Sequence, residues 1–355
     1  MLVGMVPGDR RAEAERVSAR SRRATMNDVA AHAGVSLKTV SRVVNGDAAV
    51  IEDTRAKVQR SIVELGFRRN DSARQLRTGR TSGIGLILED VADPFYSTLT
   101  RAVEQVAAAN GCLLFTGSCD DDPGQEQKLA LALCARRVDG LLIVPAAADH
   151  TYLAPELAAG LPAVFIDRPP VNLAADVVLT DNVGGARSGI AHLIKGGHRR
   201  IGYLGDTPSI FTAAQRLEGY RSAMAEHGLP VDEEWILMGR PDEAQLRAEL
   251  VRLLTGPDRV TALFTGNNRL TVAVLRELAR TTEAPFARPA LVGFDDFELA
   301  DLVVPGITVV AQDPAGLGRV AAELLFDRLA GLTAPPRRLT LPTSIIARGS
   351  GEQAP

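Results

Sequence analysis

The sequence predicts a three-helix head followed by an α/β body of two doubly wound, parallel-sheet lobes. Over residues 25–65 apolar side chains recur at helical spacing, whereas from Thr81 onward short apolar runs alternate with helical stretches in two successive series. Charge divides the chain at the same place: residues 1–80 contain 16 Arg and Lys against 9 Asp and Glu, and the rest contains 24 against 34. A basic head on an acidic body indicates that only the head contacts a polyanion such as DNA.

Composition limits the class of protein. A chain of 355 residues with 46% hydrophobic and 23% charged residues predicts a globular protein of more than one domain. Apolar runs fall short of the roughly 20 residues of a membrane span, and residues 1–7 are too short for a signal-peptide core, so we expect a cytoplasmic protein without membrane contact. Cys112, Cys119 and Cys134 lack metal-site spacing, so neither disulfides nor a metal site are predicted.

Two short helices joined by a tight turn are predicted within residues 25–46. The first carries a narrow apolar stripe beginning at Met26, and Gly34 supplies the turn. Ser36 is a good N-cap for the second helix, whose valines form its inner face. Side chains at the start of that helix then point outward, as a helix-turn-helix requires for contact with base edges in a major groove. The candidate DNA-contacting residues are Ser36, Leu37, Lys38, Thr39, Ser41, Arg42 and Asn45.

The head is completed and flanked by three further segments. Apolar spacing from Val58 to Leu65 predicts a third helix over residues 53–65. Residues 1–24 lack apolar periodicity and predict a disordered basic arm, for which a dispensable tail or a wrongly assigned start codon is the simpler interpretation. Residues 68–80 are basic and too polar for a stable isolated helix, so composition alone favours a solvated linker.

Short apolar runs in the body predict buried parallel strands. The first series is Ile84–Leu88, Cys112–Phe115, Gly140–Val144 and Ala163–Ile166. The second series is Val177–Thr180, Arg200–Leu204, Ala262–Thr265 and Ala290–Phe294. Two lobes with a cleft between them follow, and in such sheets a ligand lies outside the carboxyl ends of the strands.

Polar and aromatic residues directly after these strands are therefore candidate ligand contacts. Among them, the ionised carboxylate of Asp295 suits vicinal hydroxyls. Arg216 does not follow a predicted strand; it lies near a predicted helix start, where its planar fork can bind two ligand oxygens. Phe95 and Tyr96 together offer a stacking surface for a sugar face. Taken singly, each has a simpler structural interpretation, since Asp or Asn before a helix commonly caps it and Arg216 can pair with a surface carboxylate.

Catalytic signatures do not accompany the cleft. The sequence contains no Gly-x-Ser-x-Gly, no Gly-x-x-x-x-Gly-Lys and no His-Glu-x-x-His, and its five histidines are scattered. We therefore expect a binding protein without a cofactor, and not an enzyme. A sugar-binding transport protein would share the two lobes, but it would need a secretory signal and no DNA-binding head.

Several motifs in order resemble the lactose and galactose repressor family of bacterial transcription regulators. They are Asp28-Val-Ala, Ala33-Gly-Val-Ser, Thr39-Val-Ser-Arg-Val-Val-Asn-Gly46, Thr54-Arg55-x-x-Val58, Leu65-Gly-Phe, Asn70-x-x-Ala73-x-x-Leu76, Val138-Asp-Gly-Leu-Leu-Ile-Val144, Gly197-His-Arg-Arg-Ile201 and Val292-Gly-Phe-Asp-Asp296. The resemblance covers roughly residues 25–349 and implies a homodimeric repressor that binds pseudo-palindromic operator DNA and a small effector.

The resemblance also implies a domain organisation. The segments are a headpiece at 25–69, a hinge at 70–80, a periplasmic-binding-protein-like body at 81–349 and a tail at 350–355. Lobe one would comprise about 81–168 and 312–335, and lobe two about 169–311 and 336–349. In this family the hinge folds on DNA, which implies that Leu76 wedges into the minor groove and that Ala73 belongs to the DNA-contacting set.

Effector contacts are implied at positions in both lobes. The matching residues are Phe95, Tyr96, Asp167, Arg216, Asn267, Asp295 and Gln312. A sugar or sugar derivative is the implied effector, and its binding would shift one lobe against the other and so move the hinges. The alternatives are a nucleobase or other non-sugar effector on the same scaffold and, less favoured, a sugar-binding protein or enzyme with an accessory DNA head.

Two local expectations complete the prediction. The family usually has Ser at the position of Ile51, where it caps the third helix, so we expect Asp53 to cap it instead. The end of the chain lacks the leucine heptads that form tetramers in this family, which predicts a dimer. We expect the dimer surface on lobe one, around a helix over Pro94–Ala109, although the apolar stripe of that helix also suits packing on its own sheet.

Overall fold

The computed structural model describes residues 24–68, 81–280 and 288–355, and the chain divides into two compact units after residue 79. The first unit, the head, contains three helices. They are α1 (Met26–Ala33), α2 (Leu37–Val44) and α3 (Glu52–Glu64). Val29, Val40 and Val58, one from each helix, are fully buried and form the centre of its core. The predicted three-helix head is confirmed.

The third helix begins one residue before the predicted cap. Ile51 occupies the N-cap position and forms no side-chain cap hydrogen bond, so the expectation that Asp53 caps this helix is wrong. The carboxylates of Glu52 and Asp53 instead lie in the first turn, where they interact favourably with the positive end of the helix dipole.

The second unit, the body, contains two six-stranded sheets. The first sheet, in spatial order, is β11 (Arg338–Leu341), β5 (Asp176–Thr180), β4 (Ala163–Ile166), β3 (Gly140–Ile143), β1 (Gly83–Leu88) and β2 (Leu113–Ser118). The second is β12 (Ser344–Ile346), β10 (Thr308–Ala311), β9 (Ala290–Phe294), β8 (Ala262–Thr265), β6 (Ile201–Gly205) and β7 (Ile236–Met238). Neighbouring strands are parallel except β12, which runs antiparallel to β10. Two doubly wound lobes were predicted and are confirmed.

Helices cover both sheets and lie between successive strands of the chain. They are α4 (Pro94–Ala109), α5 (Pro123–Ala135), α6 (Ala154–Ala158), α7 (Asn182–Lys195), α8 (Phe211–Glu226), α9 (Glu243–Leu254), α10 (Asn268–Arg280) and α11 (Pro314–Leu329). The chain passes between the lobes after β5, after β10 and after β11. Three adjacent crossings allow the lobes to move relative to each other while each sheet stays intact.

Two strands lie in the first lobe and not, as predicted, in the second. β5 pairs in parallel with β4, and β11 pairs in parallel with β5. The predicted second lobe, 169–311 and 336–349, therefore wrongly included both strands. A buried apolar run suits either parallel sheet equally well, and residues 167–175 contain no helix to mark the connection, so the sequence pattern gave no signal for the sheet to which β5 belongs.

The last residues, predicted as a frayed tail over 350–355, instead pack on the second lobe. Ser350 is buried, and its hydroxyl accepts a hydrogen bond from the backbone N–H of Thr308 (2.9 Å). The buried ring of His198 bonds through Nε2 to the backbone oxygen of Gln353 (2.9 Å). The polar groups of this short segment thus form hydrogen bonds with the second lobe. The segment has no apolar periodicity from which such packing could be predicted.

The apolar stripe of α4 faces its own sheet. Leu99 and Val103 are fully buried in the core of the first lobe, and Val106 packs against it. The expectation of a dimer surface on this stripe is therefore wrong. Two exposed apolar side chains of this lobe lie on β2, at the edge of the sheet, where Leu113 is 69% and Phe115 is 46% exposed.

Each lobe packs its two longest helices together at a glycine. A Cβ on Gly219 of α8 would lie 2.4 Å from the backbone oxygen of Val183 and 3.0 Å from the backbone nitrogen of Arg187. A Cβ on Gly318 of α11 would lie 2.4 Å from the backbone oxygen of Leu99. Helical backbone cannot yield as a flexible side chain can, so the absence of a Cβ sets these interhelical distances.

We predict that Gly219→Ala lowers the free energy of unfolding by about 1–2 kcal/mol, because overlap with the α7 backbone exceeds the helix propensity that Ala gains over Gly. Urea unfolding of the full chain measures this change. Glu218→Ala, on the exposed side of the same helix, should stay within about 0.5 kcal/mol of wild type. Equal stability of wild type and Gly219→Ala would show that the close approach is not required.

Candidate functional site

The predicted DNA-contacting residues lie on the side of α2 that faces away from the core of the head. Val40 forms the buried side, whereas Leu37 is 47% exposed. The hydroxyl of Ser36 caps the helix by accepting from the backbone N–H of Thr39 (3.2 Å). Of the predicted set, Ser36, Leu37, Lys38, Arg42 and Asn45 are exposed, Thr39 and Ser41 are half-buried, and Ala73 and Leu76 lie outside the described residues.

Two aspartates occupy equivalent positions in the two lobes of the body. Asp167 directly follows β4 and Asp295 directly follows β9, and both are buried with positive φ angles of 67° and 74°. Their backbone N–H groups donate to the neighbouring strands, at Val178 (2.8 Å) and Val310 (2.9 Å). A left-handed backbone costs free energy at a non-glycine residue and is concentrated at functional sites. Asp167 and Asp295 therefore lie at the C-terminal ends of the strands, one in each sheet.

Side chains from both lobes line a cavity that is open on one side; its empty space, with the open solvent at its mouth included, is about 540 Å³. It is lined by every predicted effector residue, namely Phe95, Tyr96, Asp167, Arg216, Asn267, Asp295 and Gln312. Of the other charged and amide residues that line it, Asp93, Arg168 and Asn268 belong to the segments that the strand-end rule selects, although they were not among the predicted effector contacts. Glu89, Asp206 and Arg269 were not predicted, although Glu89 and Asp206 directly follow β1 and β6.

Arg216 is held from three sides. Its Nε donates to the amide oxygen of Asn182 (2.8 Å), and its Nη1 donates to the backbone oxygen of Gly266 (2.6 Å) and lies 3.4 Å from a carboxylate oxygen of Asp295. The guanidinium also lies 3.8 Å from the ring centroid of Phe294. Arg216 therefore organises the second-lobe wall of the cavity in addition to lining it.

Two of the predicted effector residues, Tyr96 and Asn267, also form hydrogen bonds within the protein. The hydroxyl of the buried Tyr96 donates to Glu89 (3.3 Å), which leaves the half-buried ring of Phe95 as the aromatic surface at the cavity. The amide oxygen of Asn267 accepts from the backbone N–H of Leu270 (2.8 Å) and so caps α10. Both side chains line the cavity, but their polar atoms are already engaged by the protein.

Three buried polar atoms at the cavity have no hydrogen-bond partner among the described residues. They are Oδ1 of Asp167, Oε1 of Gln312 and Nε of Arg168. A buried polar atom without a partner costs free energy comparable to a lost hydrogen bond. A ligand that reaches these atoms would need a donor group for each of the two oxygens and an acceptor for Nε of Arg168.

Arginines of the second lobe reach carboxylates of the first across the cleft. Arg269 donates through Nε to Asp93 (3.0 Å) and through Nη1 to Glu89 (3.1 Å). Arg240 donates through Nη2 to Asp121 (2.5 Å). Because both arginines are almost half exposed, each pair contributes modestly and is screened by salt. The closed arrangement of the lobes is thus held by weak, reversible contacts.

Each arginine that lines the cavity is paired with a carboxylate. Arg168, which is buried, donates to Glu89 (2.9 Å) and to Asp121 (2.7 Å), and Arg216 and Arg269 face their own carboxylates. An anionic ligand would have to break one of these pairs and leave a buried carboxylate uncompensated. The electrostatics of the cavity therefore favour a neutral ligand.

Burial raises the pKa of Asp167 and the pKa of Asp295 above their ordinary values. Burial, followed by the charge of Asp121, also raises the pKa of Glu89. A carboxyl group whose pKa is higher in the folded than in the unfolded state favours folding below its unfolded pKa, and this contribution is lost as pH rises through the folded pKa. At neutral pH the charged cavity is therefore a source of instability.

We predict that Asp167→Asn raises the urea midpoint of unfolding at pH 7, because the substitution removes a buried charge that burial disfavours. The advantage over wild type should shrink as pH falls through the raised pKa, since wild-type Asp167 then takes up a proton. Urea unfolding at several pH values from 7 to 4 measures this trend. A destabilised Asp167→Asn variant at pH 7 would show that pairing with arginine outweighs burial.

Within the described residues, no group of His, Cys, Asp and Glu side chains is arranged to hold a metal ion. In the same part of the chain, no helix combines the length and the apolar character needed to cross a bilayer.

Comparison with known proteins covers both units of the chain. The family described as bacterial regulatory proteins, lacI family, matches residues 25–70, and a periplasmic binding protein-like domain matches residues 190–351. The ribose operon repressor of Escherichia coli K12 is 33% identical over 332 residues, which is 92% of this chain and 99% of that protein.

Two solved structures are similar over most of the chain. The lac repressor dimer bound to operator and the anti-inducer ONPF is 26% identical with a TM-score of 0.79, and covers 93% of this chain and 99% of that one. The complex of the transcriptional regulator CelR with cellobiose is 31% identical with a TM-score of 0.66, and covers 92% of this chain and 100% of that one. The similarity extends over the head and both lobes.

Proposed function

The chain belongs to the lacI family of bacterial regulatory proteins, and we propose that it is a repressor whose affinity for operator DNA is controlled by a neutral, hydroxyl-rich effector bound between its lobes. Its relatives are DNA-binding regulators and not enzymes. The observation that carries the proposal is the pair of unsatisfied acceptors, Oδ1 of Asp167 and Oε1 of Gln312, in a cavity whose arginines are already paired.

A sugar fits this chemistry in three respects. Its hydroxyls supply the donors that Asp167 and Gln312 lack, and a hydroxyl or ring oxygen accepts from Nε of Arg168. Its apolar face suits the half-buried ring of Phe95. Relatives described as a ribose operon repressor and as a regulator in complex with cellobiose point to the same ligand class. A nucleobase, whose N–H groups can also donate to these acceptors, is the alternative that the sugar panel tests against.

The outward side of α2 supports insertion of this helix into the major groove. Exposed Leu37, Lys38 and Arg42 supply an apolar contact and two cationic donors for base edges and phosphates. A dimer would place two such helices about one helical turn, roughly 34 Å, apart on a pseudo-palindromic operator. We also propose that the hinge over residues 70–80 contacts the minor groove through Ala73 and Leu76.

The edge of the first sheet is the face that we propose for the dimer. Leu113 and Phe115 lie on one side of the edge strand β2, and Leu131 of α5 is 39% exposed. An exposed apolar edge strand is a liability in a monomer and is commonly covered by a partner. A second copy of this chain is the partner that a homodimeric family supplies.

The proposed location is the cytoplasm, where a bacterial repressor meets its operator. The proposed response is allosteric: an effector that binds one arrangement of the lobes more tightly shifts the population toward that arrangement. Operator and effector then alter each other's affinity by the same factor. Since the pairs between the lobes are partly exposed and individually weak, a modest differential affinity is sufficient to shift the balance.

We predict that Lys38→Ala lowers operator affinity by about 1–3 kcal/mol and relaxes preference at one base position in each half-site, because the side chain contacts a base edge. Titration of the full-length protein with single-base variants of a duplex selected from a random library measures both effects. Lys57→Ala, an exposed lysine on α3, controls for loss of one positive charge. Equal weakening on every sequence would make Lys38 a phosphate contact.

We predict that Asp167→Ala and Gln312→Leu each weaken effector affinity by at least about tenfold, as loss of a hydrogen bond to a charged or buried group requires. Calorimetry with a panel of neutral sugars, applied to the full chain, measures this loss. Operator affinity in the absence of effector should be retained. Asp296→Asn is the matched control, since that carboxylate faces Arg348 (2.7 Å). Unchanged effector affinity in both cavity variants would remove these residues from the site.

A further inference from the structure

The C-terminal end of the recognition helix α2 is closed by a backbone motif that brings Asp47 back to Arg42. Gly46 has a φ of 73°, and its N–H donates to the carbonyl oxygen of Val43 (3.0 Å). The N–H of Asp47 donates to the carbonyl oxygen of Arg42 (3.0 Å). These two bonds around a left-handed glycine form a helix-terminating motif of defined geometry. The residue directly after the glycine here carries a carboxylate.

Side chains join the same two residues a second time. Nε of Arg42 donates to Oδ2 of Asp47 at 2.7 Å, and Oδ1 of Asp47 accepts from the backbone N–H of Ala49 (2.9 Å). Arg55 of α3 donates to the carbonyl oxygen of Asp47 (3.2 Å). The hydrogen bond from Arg42 is the main reason that the pKa of Asp47 lies below its ordinary value, so the carboxylate is ionised at neutral pH. Both oxygens of this carboxylate are thus held in place.

Engagement of Nε leaves the opposite end of the guanidinium available. Neither Nη group of Arg42 has a protein partner among the described residues, and the side chain is 45% exposed. Two terminal N–H donors side by side match the N7 and O6 acceptors that guanine presents in the major groove. The exposed ion pair between Arg42 and Asp47 adds little to folding stability. It can matter for binding, because a guanidinium that is already fixed loses less side-chain entropy on forming a specific contact than a freely rotating one does.

We propose that Asp47 is a specificity-determining positioning residue, which holds Nε of Arg42 so that the arginine contacts one guanine in each half-site end-on through its two Nη groups. The inference rests on the proposed function, in which α2 enters the major groove. Without the Asp47 carboxylate, Arg42 turns toward phosphates as readily as toward bases. Selectivity then falls more than affinity, because removal of a negative charge near DNA also strengthens non-specific binding.

The test measures base discrimination by the full-length protein. Wild type selects a duplex from a library of two inverted half-sites of random sequence, and every single-base variant of that duplex is then titrated at one fixed salt concentration. R42A should lose about tenfold or more of the discrimination at one guanine position, as loss of a bidentate contact predicts. D47N should lose about fivefold or more at that same position and less than about twofold elsewhere.

Matched variants separate positioning from charge and from folding. Asn at position 47 keeps the acceptor for the backbone N–H of Ala49, so D47N removes the ion pair and preserves the turn. D53N removes one carboxylate from α3 and should leave discrimination unchanged. D47E, which retains a carboxylate within reach of Arg42, should recover part of the discrimination. The double variant R42A/D47N should lose no more at the guanine position than R42A alone.

Wild-type discrimination in D47N, or equal weakening at every base position, would overturn the inference. If R42A shows no guanine-specific loss while other α2 variants lose discrimination, Arg42 does not contact a base, and the inference falls although the repressor function stands. If wild type selects no sequence from the library, the proposed function itself fails and this inference fails with it.

Discussion

Burial of carboxylates between the two lobes is the constraint on which the rest of the body depends. Glu89, Asp93, Asp167 and Asp295 are each less than a tenth exposed, and ionised groups in such surroundings require cations or hydrogen-bond donors. Arginines from four separate segments meet this requirement: Arg168 follows β4, Arg216 lies on α8, Arg240 follows β7 and Arg269 lies on α10. Because these arginines come from both lobes, the charge balance of the cavity depends on the position of one lobe relative to the other.

Incomplete compensation of these charges supports the proposal that the cavity binds a ligand. The aspartates at the two sheet ends carry a left-handed backbone and raised pKa values, and Oδ1 of Asp167 has no partner among the described residues. Selection for stability alone would replace such groups, because they destabilise the fold. A ligand that supplies the missing donors relieves this destabilisation, and the relief contributes to the affinity for the ligand. The weak pairs of Arg240 and Arg269 then allow the lobes to respond.

The sequence predicted those features that depend on periodicity and on strand ends. Apolar spacing located the helices of the head and most strands, and the strand-end rule located Asp167 and Asp295. It failed where long-range pairing decides: an apolar run such as β5 suits either sheet, and only its hydrogen bonds to β4 place it. It also failed where one polar group meets another across the fold, as when Glu89 accepts a hydrogen bond from Arg168, 79 residues further along the chain. Contacts between residues distant in sequence have no local signature.

We expect the charge-balanced cavity to bind a neutral, hydroxyl-rich ligand in a manner coupled to operator binding. The most direct measurement is calorimetric titration of the full-length protein with neutral sugars and their phosphate esters, each with and without operator duplex. A neutral sugar should bind, and its phosphate ester should bind more weakly. Operator should change the affinity for the sugar by the same factor by which the sugar changes the affinity for operator. Tighter binding of the phosphate ester, or sugar affinity that operator does not change, would show that the cavity is not a neutral effector site coupled to DNA binding.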